Sequence, residues 1–504
     1  MKTLEELVGQ RLVFGIPGPR LRDDDIRLFR ESHAGGLILY RRNFESADQL
    51  VGLIRDFEEA LGRSLLVTTD HEGGRIVMIR DGVTIFPDNL AAGNVGENES
   101  ARRQGEIEAR ELRRLGIDVS FGPVLDVLTT TYSPNIGIRS YGRDPNLVAR
   151  LGVARISAMQ ANRLSACAKH FPGKGHSPLD AHLALPTIGS TWEEMRSVHL
   201  VPFLSAIEAG VECVMTSHPI YPNLDPTPFC PATFSQRIVR DYLRDELSYQ
   251  GVIVSDDLEM GAILEICAPR DAAFYAALAG HDLLLSCHEA KAQWGVFEGL
   301  RNAYKTKRLP LKDLEASVER IERLKAKRAS RFEGGSPHPE PGGAELAKTI
   351  ARRAVTVLQG EVPRARLRRA PAIIFPKLSS LAPRITIEER VLDEQAFLKS
   401  TCEQLGFAPE IKLVGIEPAA EEIDQSALLA AQRELTLLFL YDAHLFPSNK
   451  TLLDRVQASA RSLVVVLLRD PYDIEFIREG VTCLTAYGWR LCQIEAVLEH
   501  LASR

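Results

Sequence analysis

Between Leu12 and Ser286 the chain repeats one pattern, a short apolar run followed by a longer amphipathic stretch. The runs are Leu12–Ile16, Gly36–Tyr40, Leu65–Thr69, Asp118–Phe121, Ala166–His170, Cys213–Thr216, Gly251–Ser255 and Asp282–Ser286. Most are separated by stretches such as Ala47–Leu61, Ala101–Leu115, Pro145–Asn162, Trp192–Ala209 and Ser235–Leu247, whose apolar residues recur at helical spacing. Roughly eight β-α repeats predict a closed parallel (β/α)8 barrel of the TIM type. An open doubly wound sheet of similar length competes with it, because periodicity alone does not close a sheet.

A helical pattern over Leu311–Arg328 ends this region, and Gly334-Gly-Ser-Pro-His-Pro-Glu-Pro-Gly-Gly343 follows. That breaker-rich stretch reads as an interdomain linker. Beyond it the runs Ala372–Phe375, Leu435–Leu440, Leu463–Leu468 and Thr482–Ala486 alternate with helical patterns at Ser426–Arg433 and Lys450–Arg461. The expected organisation is a barrel over 1–332, a linker over 333–344 and a smaller α/β sandwich over 345–504. The second domain has no glycine fingerprint for a nucleotide, and its acidic stretch with Glu422 and Asp424 reads as solvated surface.

A length of 504 residues fits two or three domains, and 45% apolar with 25% charged residues supplies ordinary cores. A net charge of -6 gives no reason to expect nucleic acid or a membrane surface as partner. The eight cysteines are scattered and form no C-x-x-C pair; several lie within or beside apolar runs and read as reduced core thiols. The first residues carry no apolar leader and no run is long enough to span a bilayer, which points to the cytoplasm. No His/Cys cluster has metal-ligand spacing, so neither metal nor other cofactor is expected.

The conspicuous polar residues stand where the strands end. Asp70 follows the third run, Asp126 lies after the fourth, Lys169 and His170 end the fifth, His218 follows the sixth, and Asp256 and Asp257 follow the seventh. In a (β/α)8 barrel these ends share one mouth, where active sites sit. Asp180 and His182 lie two residues apart on a Gly/Pro-rich loop. On an extended segment they face the same way, so Asp180 can fix the His182 tautomer and leave the other ring nitrogen to pass a proton. Asp256 and Asp257 point differently, so one suits a nucleophile attacking a sugar carbon and the other a support; an N-cap of the next helix is the plainer reading of Asp257. Asp70 suits vicinal hydroxyls, and Arg139 suits an acetamido or hydroxyl acceptor unless it simply pairs with nearby Asp144.

Six ordered motifs then resemble glycoside hydrolase family 3, within it the β-N-acetylglucosaminidases of peptidoglycan recycling. They are Asp70–Arg75 (D-x-E-G-G-R), Ser120–Val127, Arg139–Gly142, Lys169–Gly173 (K-H-F-P-G), Met215–His218 (M-T-x-H) and Ser255–Met260 (S-D-D-L-x-M). The resemblance implies Asp256 as nucleophile, His182 oriented by Asp180 as acid/base, and Asp70, Arg139, Lys169 and His170 as ligands of the non-reducing sugar. It also implies release of terminal β-linked N-acetylglucosamine with retained configuration, the substrate carbohydrate being the one partner.

The chain departs from that pattern in three places. The family loop P-G-H-G-D is Pro172-Gly-Lys-Gly-His176 here. Lys174 and His176 read first as solvated loop positions; as site residues they would favour an anionic aglycone, such as a muramyl group, or phosphate as acceptor. Met78 stands where the family has a sugar-contacting Arg, with Arg80 two residues on, and His71 replaces a Gln. The alternatives are therefore a β-glucosidase or β-xylosidase of the family, an N-acetylglucosaminide phosphorylase, and a catalytically impaired sugar-binding protein.

Overall fold

Each of the eight runs forms a strand at its predicted place: β1 (Leu12–Gly15), β2 (Gly36–Leu39), β3 (Leu66–Thr69), β4 (Val119–Ser120), β5 (Ser165–Phe171), β6 (Cys213–Thr216), β7 (Val252–Val254) and β8 (Leu284–Ser286). In this computed structural model, residues 2–130, 132–177, 185–327, 337–363, 367, 369–383 and 385–503 are described. The strands are parallel and ordered β8-β1-β2-β3-β4-β5-β6-β7. The ends of that row also join. Val254 and Leu283 form a parallel bridge, with Ser255 N–H donating to Leu283 O at 3.0 Å and Leu283 N–H to Ile253 O at 3.1 Å. An open sheet would leave those groups unpaired, so the barrel reading holds.

The barrel is filled by inward side chains that include Val13, Ile38, Leu66, Val119, Phe121, Met215, Val252, Val254 and Leu285, with Ile321 and Leu324 of the helix Leu311–Ala326 in the same cluster. Cys167, Cys213 and Cys287 belong to it too, as the core-thiol reading expected. The crossover helices follow from local signals. Ala47–Leu61 buries Leu50, Leu53, Ile54 and Phe57 on one face, is capped by Ser46, and ends at Gly62 with φ +66. Pro145–Ala161 starts on Asp144, whose carboxylate accepts from Asn146 N–H at 2.9 Å. That cap occupies Asp144, which is not the partner of Arg139.

Strand starts at the opposite end of the barrel are tied by buried carboxylates. Asp282, just before β8, accepts from Ile253 N–H at 2.8 Å and pairs with Arg244 at 2.7 Å and Arg320 at 3.4 Å. Asp118 accepts from Val67 N–H at 2.9 Å and pairs with Arg113 at 2.6 Å. Removing one partner of such a pair strands a charge out of water. Asp282→Ala should therefore cost about 3–5 kcal/mol in urea unfolding, with Asp282→Asn losing less because the amide oxygen still accepts from Ile253.

The second compact unit comprises Gly342–Arg504 together with Gly73–Arg80 and Ile85–Val95; the first holds Met1–Glu72, Asp81–Thr84 and Gly96–Pro341. Two stretches that contiguous boundaries assign to the barrel thus pack with the later chain. Arg490 donates through Nε to Gly74 O at 2.8 Å, and Arg75 N–H donates to Asp88 Oδ1 at 2.6 Å. Gly74 has φ +50, and a Cβ there would fall 2.1 Å from Asp88 Cγ, so only glycine fits. Met78 is half-buried in this segment and Arg80 exposed. Of the expected linker, residues up to 336 lie outside the described part, while Glu340 N–H donates to Glu111 at 2.7 Å.

The second unit's sheet has six strands: β9 (Thr356–Gln359), β10 (Ala372–Pro376), β11 (Glu410–Val414), β12 (Thr436–Leu440), β13 (Leu463–Leu467) and β14 (Thr482–Thr485). Their order is β9-β14-β13-β12-β10-β11, parallel except for the edge strand β9. The sequence pattern showed the four inner strands and not the two edges. Edge strands β9 and β11 are mostly half-buried and mix apolar with polar residues, so they lack a continuous apolar run. Asp424 is exposed and paired with Arg455, whereas half-buried Glu422 accepts from the Gly415 and Ala419 amides. No helix among the described residues is long and apolar enough to cross a membrane.

Candidate active site

Five of the seven expected site residues, Asp70, Arg139, Lys169, His170 and Asp256, lie in the barrel unit at the carboxyl ends of its strands or on the loops that follow. Asp180 and His182 lie outside the described residues. The site is built around Lys169, which β5 delivers with 2% exposure. Its ammonium lies 2.6 Å from Asp70 Oδ1 and 2.5 Å from Glu72 Oε1. Arg139 grips the same Glu72 with two parallel bonds of 2.8 Å, from Nε and Nη2. Its Nη1 donates to Asn135 O at 2.6 Å and Oδ1 at 3.2 Å, and Nη2 also faces His170 Nε2 at 3.4 Å. All five guanidinium hydrogens thus have protein acceptors. Arg139 clamps Glu72, and Glu72 in turn fixes Lys169.

His170 continues the chain of contacts. Its Nδ1 lies 2.7 Å from Asp126 Oδ2. With Nδ1 carrying the proton toward that carboxylate, Nε2 is the acceptor that faces Arg139. Asp126 Oδ1 accepts from Lys174 N–H at 2.6 Å. Lys174 is 3% exposed, and its ammonium stands 3.9 Å from Asp256 Oδ2. The solvated reading therefore fails for Lys174, while His176 is exposed as that reading expected.

Asp256 leaves β7 with Oδ1 accepting from Asp257 N–H at 2.9 Å and Oδ2 turned toward Lys174. Asp257 does not cap a helix. Its Oδ1 accepts from Glu259 and Cys287 amides at 3.2 Å, its Oδ2 faces His288 at 3.2 Å, and the helix Gly261–Leu264 begins from Met260. His218 holds the same loop, with Nε2 3.0 Å from Asp257 O and Nδ1 2.9 Å from Thr233 Oγ1.

These surroundings separate the carboxyl groups. Burial raises Asp70 and outweighs the opposing Lys169 charge. Burial pushes Asp126 up to about 6 against the pull of Lys174. Burial would raise Asp256 as well, but Lys174, then His218 and Lys169, hold it below the usual carboxylate value. At neutral pH Asp256 is an ionised carboxylate with one oxygen steadied by a backbone amide, which is the state a nucleophile needs.

From the sequence, Glu72 has no site role, Asp126 is placed only at the barrel mouth, and Lys174 reads first as a solvated loop position. Glu72 follows Asp70 by two residues, and the same spacing rule that singled out Asp180 and His182 places it on the face of Asp70. No comparable spacing pointed to Lys174, because burial of a loop residue is not written in its neighbours.

The sequence profile described as the glycosyl hydrolase family 3 N-terminal domain matches residues 3–324. A beta-hexosaminidase from Idiomarina loihiensis is 37% identical over 284 residues, which cover 55% of this chain and 84% of that one. One from Thioalkalivibrio sulfidiphilus is 38% identical over 298 residues, 57% of this chain and 84% of that one. Among solved structures, a glycoside hydrolase family 3 beta-N-acetylglucosaminidase from Paenibacillus sp. str. FPU-7 superposes with a TM-score of 0.92 at 31% identity, covering 100% of this chain and 97% of that one. With a family profile running through the whole barrel and those strand-end motifs in order within it, the chain belongs to glycosyl hydrolase family 3 and is a glycoside hydrolase.

Proposed function

We propose that this chain is a retaining exo-glycosidase that releases terminal β-linked N-acetylglucosamine from cell-wall fragments or glycoconjugates in the cytoplasm. The observation that carries the reading is the ionised, half-buried Asp256, which shares the barrel mouth with the Asp70–Lys169–Glu72–Arg139 network. The names of the relatives, hexosaminidases and an N-acetylglucosaminidase, support the choice of sugar.

In the first step Asp256 Oδ2 attacks the anomeric carbon. The bond to the aglycone oxygen breaks, and that oxygen keeps the electron pair and takes a proton from His182, which Asp180 orients. In the second step His182 takes a proton from water, the water oxygen attacks the same carbon, and the ester bond breaks with its pair returning to Asp256. Two inversions give net retention. Asp70 and Lys169, with His170, receive the hydroxyls of the non-reducing sugar, and Arg139 keeps Glu72 and Lys169 in place.

An aryl β-N-acetylglucosaminide should be hydrolysed about 10²-fold better than the matching β-glucoside, because a site built for the acetamido group leaves its polar groups unpaired with a hydroxyl. No activity on either substrate would sink the hydrolase reading. His182→Ala should lower kcat/KM about 10²–10⁴-fold for glycosides with poor leaving groups and much less for activated aryl glycosides. An equal loss on both would remove His182 as proton donor. Phosphorolysis is favoured by one observation, the Lys174 ammonium beside Asp256. Release of sugar 1-phosphate on adding inorganic phosphate would decide for it.

A further inference from the structure

Lys174 is buried at 3% exposure, its backbone is fixed to Asp126, and among the described residues no acceptor is hydrogen-bonded to its ammonium. Among the described residues Asp256 is the one carboxylate in ion-pair range of it, and 3.9 Å is outside hydrogen-bond reach. This is a through-space ion pair, and it leaves Asp256 Oδ2 free to form a bond. We propose that Lys174 is a positioning residue for the nucleophile: its ammonium holds Asp256 as a free carboxylate and drives the glycosyl-enzyme back to that state.

The electrostatic balance differs between the two forms. In the free enzyme the ammonium and the Asp256 carboxylate compensate each other. Formation of the glycosyl ester neutralises Asp256 and takes from buried Lys174 its ion-pair partner. Hydrolysis of the ester restores the pair. Lys174 therefore makes Asp256 a better leaving group in the second step while lowering the acidity range needed to ionise it. The other groups facing Asp256 are Lys169 from β5, His218 after β6, Asp70 after β3 and its neighbour Asp257; those facing Lys174 also include Arg139 and Asp126. None of these side chains is replaced in the Lys174 variants, although Asp126 also loses the pull of the ammonium, and burial draws Lys174 itself down while the pair with Asp256 opposes that. The family loop has His where Lys174 stands, so a lysine beside the nucleophile is a departure of this chain.

The inference rests on Asp256 being the nucleophile, and the test keeps the two apart. The acid limb of the kcat/KM profile on an activated aryl N-acetylglucosaminide reports ionisation of Asp256 in the free enzyme. Lys174→Met should move that limb up by about 1–3 pH units, the effect of an opposite charge at this range. Lys174→Arg should keep it within about half a unit. Above the limb, Lys174→Met should show a burst of aryl alcohol and a mass increment of one sugar on the intact protein, because the ester now outlives its formation. Lys174→Gln serves the same measurements if the Met variant does not fold. A limb unmoved by both neutral variants, or moved equally by Lys174→Arg, overturns the inference. Asp256→Asn, run alongside, tests the nucleophile itself: full activity in that variant would instead bring down the functional reading.

Discussion

Asp256→Asn is expected to lower kcat on an aryl β-N-acetylglucosaminide by a factor on the order of 10⁵, with little change in fold or in sugar binding. Asparagine has the same shape, and its amide oxygen still accepts from Asp257 N–H, the bond that measures 2.9 Å in the wild type. What it lacks is the negative oxygen that attacks the anomeric carbon. Asp256→Asn should therefore retain the wild-type affinity for free N-acetylglucosamine by calorimetry while losing turnover. A variant that keeps both would move the nucleophile elsewhere. Asp257→Asn is the comparison, since the Asp257 carboxylate holds the Glu259 and Cys287 amides and faces His288. It should disturb the loop and leave a measurable rate.

The second large effect is at Glu72. Glu72→Ala removes the carboxylate shared by Lys169 and Arg139, both nearly buried, and leaves the guanidinium fork without its acceptor. Breaking a buried pair on one side costs about 3–5 kcal/mol, read as a lower urea midpoint. KM for the aryl substrate should rise about 10²-fold, because Lys169 and Asp70 lose the contact that fixes them. The pH dependence has a definite sign. Burial works against ionised Glu72, but Arg139 and Lys169 outweigh it and hold the carboxyl well below its ordinary 4.5. A depressed carboxyl stabilises the folded state fully above its unfolded pKa, and that contribution fades as pH falls toward the folded value. The stability gap between wild type and Glu72→Ala should thus be constant from pH 6 to 8 and shrink steadily below pH 4.5. A gap that widened in acid would contradict the ion-pair description.

Much of the barrel was legible because its strands are buried on both faces and its helices carry one apolar stripe. Both signals are local, and the strand ends then located the mouth. Contacts between distant residues were not legible. Arg139 sits five residues from Asp144, yet its partner Glu72 is 67 positions away. Lys174 looked like a solvated loop cation, since nothing in Pro172–His176 says which side chain turns inward. The segment Gly73–Arg80 follows Glu72 directly but packs with the second unit, held there by Arg490. Only the folded chain brings that arginine to Gly74. Edge strands β9 and β11 were missed because half-exposed strands with polar residues among the apolar ones show no continuous run.

Catalysis with retention requires Asp256 to become covalently bonded to the sugar. The most direct measurement uses a 5-fluoro-N-acetylglucosaminyl fluoride, whose ester forms faster than it breaks, followed by digestion and mass mapping of the labelled peptide. One sugar per chain is expected, on the peptide spanning 251–260 and on Asp256. Label on Asp257 or on any other residue, or a product of inverted configuration with no label, would contradict it.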